Sequence, residues 1–76
     1  MGRSTMAEPV PIESDVIELA QLLKLANCVG TGGEAKLVIR EGEVSVNGEI
    51  ETRRGRKLRP GDIVAYSEQV FEVVQG

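Results

Sequence analysis

The sequence contains no histidine and no tryptophan, and only one tyrosine, one phenylalanine and one cysteine. Each scarcity removes a class of function. An intrachain disulfide needs two cysteines, so none forms. A zinc site of Cys and His would have a single ligand, which excludes it. Without histidine, Ser-His and Cys-His nucleophile pairs are excluded as well. No apolar run approaches the ~20 residues that span a bilayer. No charged start followed by an apolar stretch marks a secretory signal. The expectation is a cytoplasmic protein with no membrane partner, no metal and no cofactor. The shortage of rings matters too. Proteins that grip unpaired strands stack bases on exposed aromatics. Tyr66 and Phe71 both fall in apolar, strand-like runs and are expected in the core, so no stacking platform is expected.

What remains is enough for one small domain. A chain of 76 residues buries only about 60% of the surface its unfolded form exposes. Its hydrophobic content of 41% with 28% charged residues suits a globular chain rather than a disordered one. Residues 1–8 lack periodicity and are expected to form a flexible tail, with residues 9–76 as a single domain, expected to be a monomer. Met1 and Met6 are both candidate starts.

The net charge of -3 argues against a nucleic-acid partner, but its distribution argues the other way. Arg53, Arg54, Arg56, Lys57 and Arg59 lie within seven residues with no acid between them, a local charge of +5 in a chain whose remainder carries -8. Such polarity aims a polyanion at one face. The same run also fits a solvated basic loop.

Periodicity places the elements. Val10 and Ile12 flank Pro11, compatible with a short edge strand. Leu19, Leu22, Leu23 and Ala26 form one apolar helical stripe, with Gln21 and Lys24 off it. That helix starts between Asp15 and Glu18 and stops at Asn27, a residue that tolerates the left-handed conformation. Thr31 followed by Glu34 is a capping box for a second helix, with Glu34 reaching back to the cap amide. Ala35, Val38 and Ile39 are its buried stripe, and Gly42 its end. Lys36 and Arg40 share a face.

The rest reads as β. Val44 and Val46 alternate with polar residues up to an Asn47-Gly48 turn. A strict two-residue turn would put Ile50 on the wrong face, so a three-residue loop or bulge is expected, returning Ile50 to the side of Val44 and Val46. Pro60-Gly61-Asp62 is a further turn. Ile63 to Tyr66 and Val70 to Val74 are the last strands. The fold class is α+β: two N-terminal helices packed on a small antiparallel β-sheet.

Three features bear on chemistry. Gly30-Thr31-Gly32-Gly33 is not a P-loop, since no Gly-Lys-Ser/Thr follows. It is either a plain helix start or a phosphate site at unshielded amides. Glu41, Glu43, Glu49 and Glu51 cluster around the hairpin, but a glycosidase-like pair needs a deep cleft, so all four are expected to be solvated. Cys28 has no activating neighbours and is expected to pack as a small hydrophobe.

Leu19-Ala20-Gln21-Leu22-Leu23-Lys24, then Thr31-Gly32-Gly33-Glu34-Ala35-Lys36, then the run IREGEVSVNG from Ile39 to Gly48 resemble the alpha-L RNA-binding motif. This small domain is shared by small-subunit ribosomal protein S-four, some pseudouridine synthases, tyrosyl-tRNA synthetases and a heat-shock protein acting on ribosomes. The segment from Glu51 to Asp62 looks like the standalone bacterial, YbcJ-like members. The resemblance covers roughly Ile17 to Tyr66. It implies that the two helices and the following β-turn face RNA, with Lys36 at the position of a basic helix residue. The family's usual Arg after the cap is Gly32 here, which shifts the expected contact to the backbone amides of Gly32 and Gly33.

The function expected is noncatalytic binding of structured RNA, ribosomal or transfer RNA, with the ribosome as a possible wider partner. The interface expected is Arg53, Arg54, Arg56, Lys57 and Arg59, extended by Lys36 and Arg40, by Gly32 and Gly33, and more weakly by Lys24. The alternative is an adaptor whose basic loop meets an acidic protein. A ubiquitin-like sulfur carrier is disfavoured, because the chain ends Val74-Gln75-Gly76 and not in Gly-Gly.

Overall fold

The computed structural model describes residues 7–76. The chain runs β1 (Glu8–Ile12), β2 (Ile17–Glu18), α1 (Leu19–Leu25), α2 (Gly32–Arg40), β3 (Val44–Val46), β4 (Glu49–Ile50), β5 (Lys57–Leu58), β6 (Ile63–Tyr66) and β7 (Gln69–Gln75). The tail expected over 1–8 gives way to strand at Glu8, and what was expected of Met1 to Met6 lies outside the described residues. Two helices packed with a small sheet make the α+β arrangement. The five-stranded sheet has the order β1-β7-β6-β3-β4. It is antiparallel except at one edge, where β1 runs parallel to β7. Pro9 and Pro11 sit on that edge strand, where a missing N–H breaks no ladder. Ile17–Glu18 and Lys57–Leu58 form a separate two-stranded ribbon.

The core lies where the helices meet the sheet. Leu19, Leu22 and Leu23 of α1 and Ala35, Val38 and Ile39 of α2 face Val44, Val46, Val64, Phe71 and Val73 of the sheet, all buried. Tyr66 is half-buried at the edge of this cluster, and Cys28 packs partly against it. Neither ring is therefore laid open as a stacking platform.

Local chemistry sets the helix ends. Asn27 has φ 63° and Gly42 φ 80°, the left-handed conformations that stop α1 and α2. The Thr31 hydroxyl accepts from the Glu34 amide at 3.1 Å. The Glu34 carboxylate does not return to the cap amide but accepts from Gly30 N–H at 3.0 Å, one residue earlier. The carboxylate thus ties the entering loop to the helix. Thr31→Ala is expected to cost about 1 kcal/mol, the usual worth of such a cap. A chemical denaturation curve of the variant checks this, and coincidence with the parent would remove Thr31 from the cap.

The hairpin between β3 and β4 departs from expectation. The turn has two residues, with Ser45 opposite Ile50 and Val46 opposite Glu49. Asn47 (φ 52°) and Gly48 (φ 89°) both take positive φ, the geometry of the tightest hairpin turn. Ile50 therefore does not rejoin Val44 and Val46; it is 70% exposed, forgoing about 2 kcal/mol of burial. Compensation comes from Asn47. Its side chain accepts from Ile63 N–H at 2.9 Å and donates to Asp62 at 3.2 Å, and its own N–H donates to the Ile63 carbonyl at 2.7 Å. These bonds join the Asn-Gly turn to the Pro60-Gly61-Asp62 turn and hold the register.

Candidate nucleic-acid interface

Because side chains alternate along a strand, turning Ile50 outward turns Glu51 inward. Glu51 N–H donates to the Val44 carbonyl at 3.0 Å, which continues the hairpin one step. The Glu51 carboxylate, expected to be solvated, is buried, unlike the exposed Glu41, Glu43 and Glu49. Two arginines of the basic run hold it. Arg53 donates from Nε at 2.9 Å and from Nη2 at 3.2 Å, a fork on both oxygens, and its backbone N–H adds a third bond at 3.0 Å. Arg56 Nη1 donates at 2.8 Å. These bonds, those from the Arg53 side chain foremost, hold the Glu51 carboxyl down at about 2. It stays ionised at neutral pH.

Arg53 and Arg56 are also the two ends of a β-turn, closed by Arg56 N–H donating to the Arg53 carbonyl at 3.2 Å. Arg54 and Gly55 form its tip. The turn is docked on α1, whose cap residue Glu18 makes no side-chain cap bond. Leu19 N–H donates to the Arg56 carbonyl at 2.9 Å and Ala20 N–H to the Arg54 carbonyl at 3.1 Å. Free amides at a helix start need acceptors, and here the basic turn supplies them. The consequence is positional: the Arg54 side chain arrives beside the helices.

It enters a shallow basin of about 350 Å³ lined by Glu18, Ala20, Gln21 and Lys24, by Gly32, Gly33 and Lys36 of α2, and by Arg54. Three cations thus converge with one carboxylate in a chain of net charge -3. Glu18 itself lies 3.8 Å from Lys57 across the β2-β5 ribbon. Among the described residues, no carboxylate lies within ion-pair distance of Lys24, Lys36 or Arg54. A Cβ added at Gly32 would meet nothing within 4 Å. The start of α2 is therefore open, with its amides at the positive end of the helix dipole.

Half of the expected interface comes together here: Lys24, Gly32, Gly33, Lys36 and Arg54. Lys24, the weaker candidate from sequence, is among them. Arg40, Arg53, Arg56, Lys57 and Arg59 do not line the basin. Arg53 and Arg56 are engaged by Glu51, and Lys57 faces Glu18. Arg59 belongs to the Asp62 turn, its N–H donating to that carboxylate at 2.8 Å. The sequence reading missed Glu51. The available signal was its spacing, two and five residues before the arginines that bracket Arg54-Gly55.

A family model described as the S4 domain matches residues 10–74. The "Probable ribosome maturation protein RlbA" of Bacillus subtilis (strain 168) is 51% identical over 59 residues, covering 78% of this chain and 83% of that protein. YbcJ of Escherichia coli (strain K12) is 40% identical over 58 residues, covering 76% of this chain and 83% of that protein. The solution structure of E. coli YbcJ, described as revealing an alphaL motif involved in RNA binding, superposes with a TM-score of 0.69 at 32% identity, covering 97% of this chain and 95% of that one.

Proposed function

The chain belongs to the S4 domain family, and on that premise we propose that it binds structured RNA, ribosomal or transfer RNA, through the basin between α1, α2 and the Arg54 turn. RNA binding is the property named for YbcJ, and ribosome maturation that named for RlbA. The observation that carries the reading is the convergence of Lys24, Lys36 and Arg54 on the open start of α2. Three separated stretches of sequence supply these cations to one concavity, in a chain whose average charge repels a polyanion. Phosphates fit such a place: helix amides and cations both favour an anion. Arg40, Lys57 and Arg59, all exposed, serve as an outer field that steers the RNA. The domain works as a cytoplasmic monomer without catalysis; neither metal nor cofactor enters the reading.

The test is a titration of labelled RNAs across several salt concentrations. With four or five phosphate contacts, affinity should fall with a log-log slope of roughly -0.7 to -0.9 per contact. A stem-loop or junction should bind more tightly than an unpaired homopolymer, because Phe71 is buried and Tyr66 half-buried and splayed bases find no ring. A flat salt dependence would contradict the phosphate mechanism. Preference for the homopolymer would contradict recognition by shape. Binding to an acidic protein that survives nuclease treatment, with no RNA affinity, would favour the adaptor reading.

A further inference from the structure

Glu51 is an acid buried beneath a surface that binds a polyanion, so simple electrostatics makes it an obstacle. Its geometry says otherwise. The carboxylate takes four hydrogen bonds, three from Arg53 and one from Arg56. Those two residues are the first and last of the turn whose tip is Arg54. The same turn places the Arg54 and Arg56 carbonyls on the first amides of α1. Gly55 beside Arg54 contributes no side chain that could fix the tip from within.

We infer that Glu51 is a positioning residue for RNA recognition: by stapling both ends of the Arg53–Arg56 turn it aims Arg54 into the basin with Lys24 and Lys36. This rests on the basin being the RNA surface. It divides the basic run by role. Arg53 and Arg56 serve chiefly to hold the turn, while Arg54 meets phosphate. Each of these arginines carries one charge, yet they should fail differently when replaced. Glu51 itself touches no RNA and acts only through the arginines.

The sign of the effect makes the inference testable. Glu51→Gln raises the net charge by one, so charge alone predicts tighter binding. Loss of positioning predicts the reverse. The experiment measures the affinity of a fluorescently labelled RNA stem-loop for the parent, Glu51→Gln, Arg54→Gln and the double variant. It is done at a temperature where circular dichroism shows each protein folded. Glu51→Gln should bind about five- to tenfold more weakly, the scale of coupling between residues in one network. Arg54→Gln should weaken the parent by a similar factor but cost much less in the Glu51→Gln background, since a loose Arg54 has little to lose. A role in stability alone would leave the two effects multiplicative, and that result overturns the inference. So does a Glu51→Gln protein that binds as tightly as the parent or more so. If Arg54→Gln leaves the parent's affinity unchanged, the basin is not the RNA surface and the inference falls with it. Arg53→Lys provides a second arm should Glu51→Gln melt near the assay temperature. It keeps the charge but cannot form the two-bond fork, so it should bind more weakly than the parent at equal net charge. Equal affinity would overturn the inference.

Discussion

Replacing Lys24, Lys36 and Arg54 together with glutamine should lower affinity for a structured RNA by about one hundred- to five hundredfold at ~0.1 M salt. The magnitude follows from counterion release. Each phosphate contact contributes a log-log slope of about -0.7 to -0.9, which at ~0.1 M salt is roughly a five- to eightfold gain per contact. Three lost contacts multiply, and the slope itself should become shallower by about 2 to 3. All three side chains are exposed, so stability should change by no more than about 0.5 kcal/mol for each. The comparison that gives the experiment force is a second triple variant, Arg40, Lys57 and Arg59 to glutamine. It removes the same charge from residues that do not line the basin. It should bind considerably better than the first. Equal losses from the two sets would mean that overall charge, not the basin, governs binding.

Leu58→Ala should destabilise the domain by about 2–5 kcal/mol, the usual range for emptying a leucine site in a core. The side chain is fully buried, although its neighbours Lys57 and Arg59 are exposed. It is the inward residue of the β2-β5 ribbon, directly opposite Ile17. A domain of this size holds only about 4–11 kcal/mol in total, so the substitution takes a large share. The functional consequence follows from the connection. The ribbon ties the basic turn to the start of α1, so RNA affinity should fall along with the folded fraction. Lys57→Gln and Arg59→Gln, on either side, should leave the urea midpoint nearly unchanged. A Leu58→Ala protein with the parent's midpoint would show that the segment is not anchored through this side chain.

The elements with strong local chemistry were legible in the sequence. The Thr31 cap, though not the reciprocal bond expected of Glu34, the stripe of Ala35, Val38 and Ile39 and the stop at Gly42 each depend on residues within one or two turns of each other. Burial and backbone geometry follow them closely. The stripe of α1 was equally clear, but its start was not. Ile17–Glu18 pair with Lys57–Leu58, about forty residues further on in the chain, and no local periodicity reports such a pairing. Membership of the family was legible as well, because the resemblance rests on spaced glycines, cap and turn residues that can be read as a string.

The candidate site was half legible for a related reason. Composition reveals that a run is basic, but not which cations are free. Lys24, Lys36 and Arg54 could be named as candidates; that they meet depends on the α1-α2 packing and on two carbonyls docking the turn. Arg53 and Arg56 could be counted as charge, but their engagement depends on where Glu51 points. That in turn depends on the register of the β3-β4 hairpin. An alternating pattern specifies which residues share a face and leaves the turn length free. The burial of Ile50 favoured a longer loop, whereas the bonds of Asn47 to Asp62 and Ile63 hold a two-residue turn. The sequence alone determined the α+β class, the apolar stripes of both helices, the main strands β1, β3, β6 and β7 and the pool of cations, because these follow from contacts between near neighbours and from residue chemistry. Only the tertiary structure decided that Ile50 faces out and Glu51 in, that two arginines bind that carboxylate, and that Arg54 joins the helix lysines. Each of those outcomes is a competition among bonds between residues distant in the chain, and the balance is struck only when the domain closes.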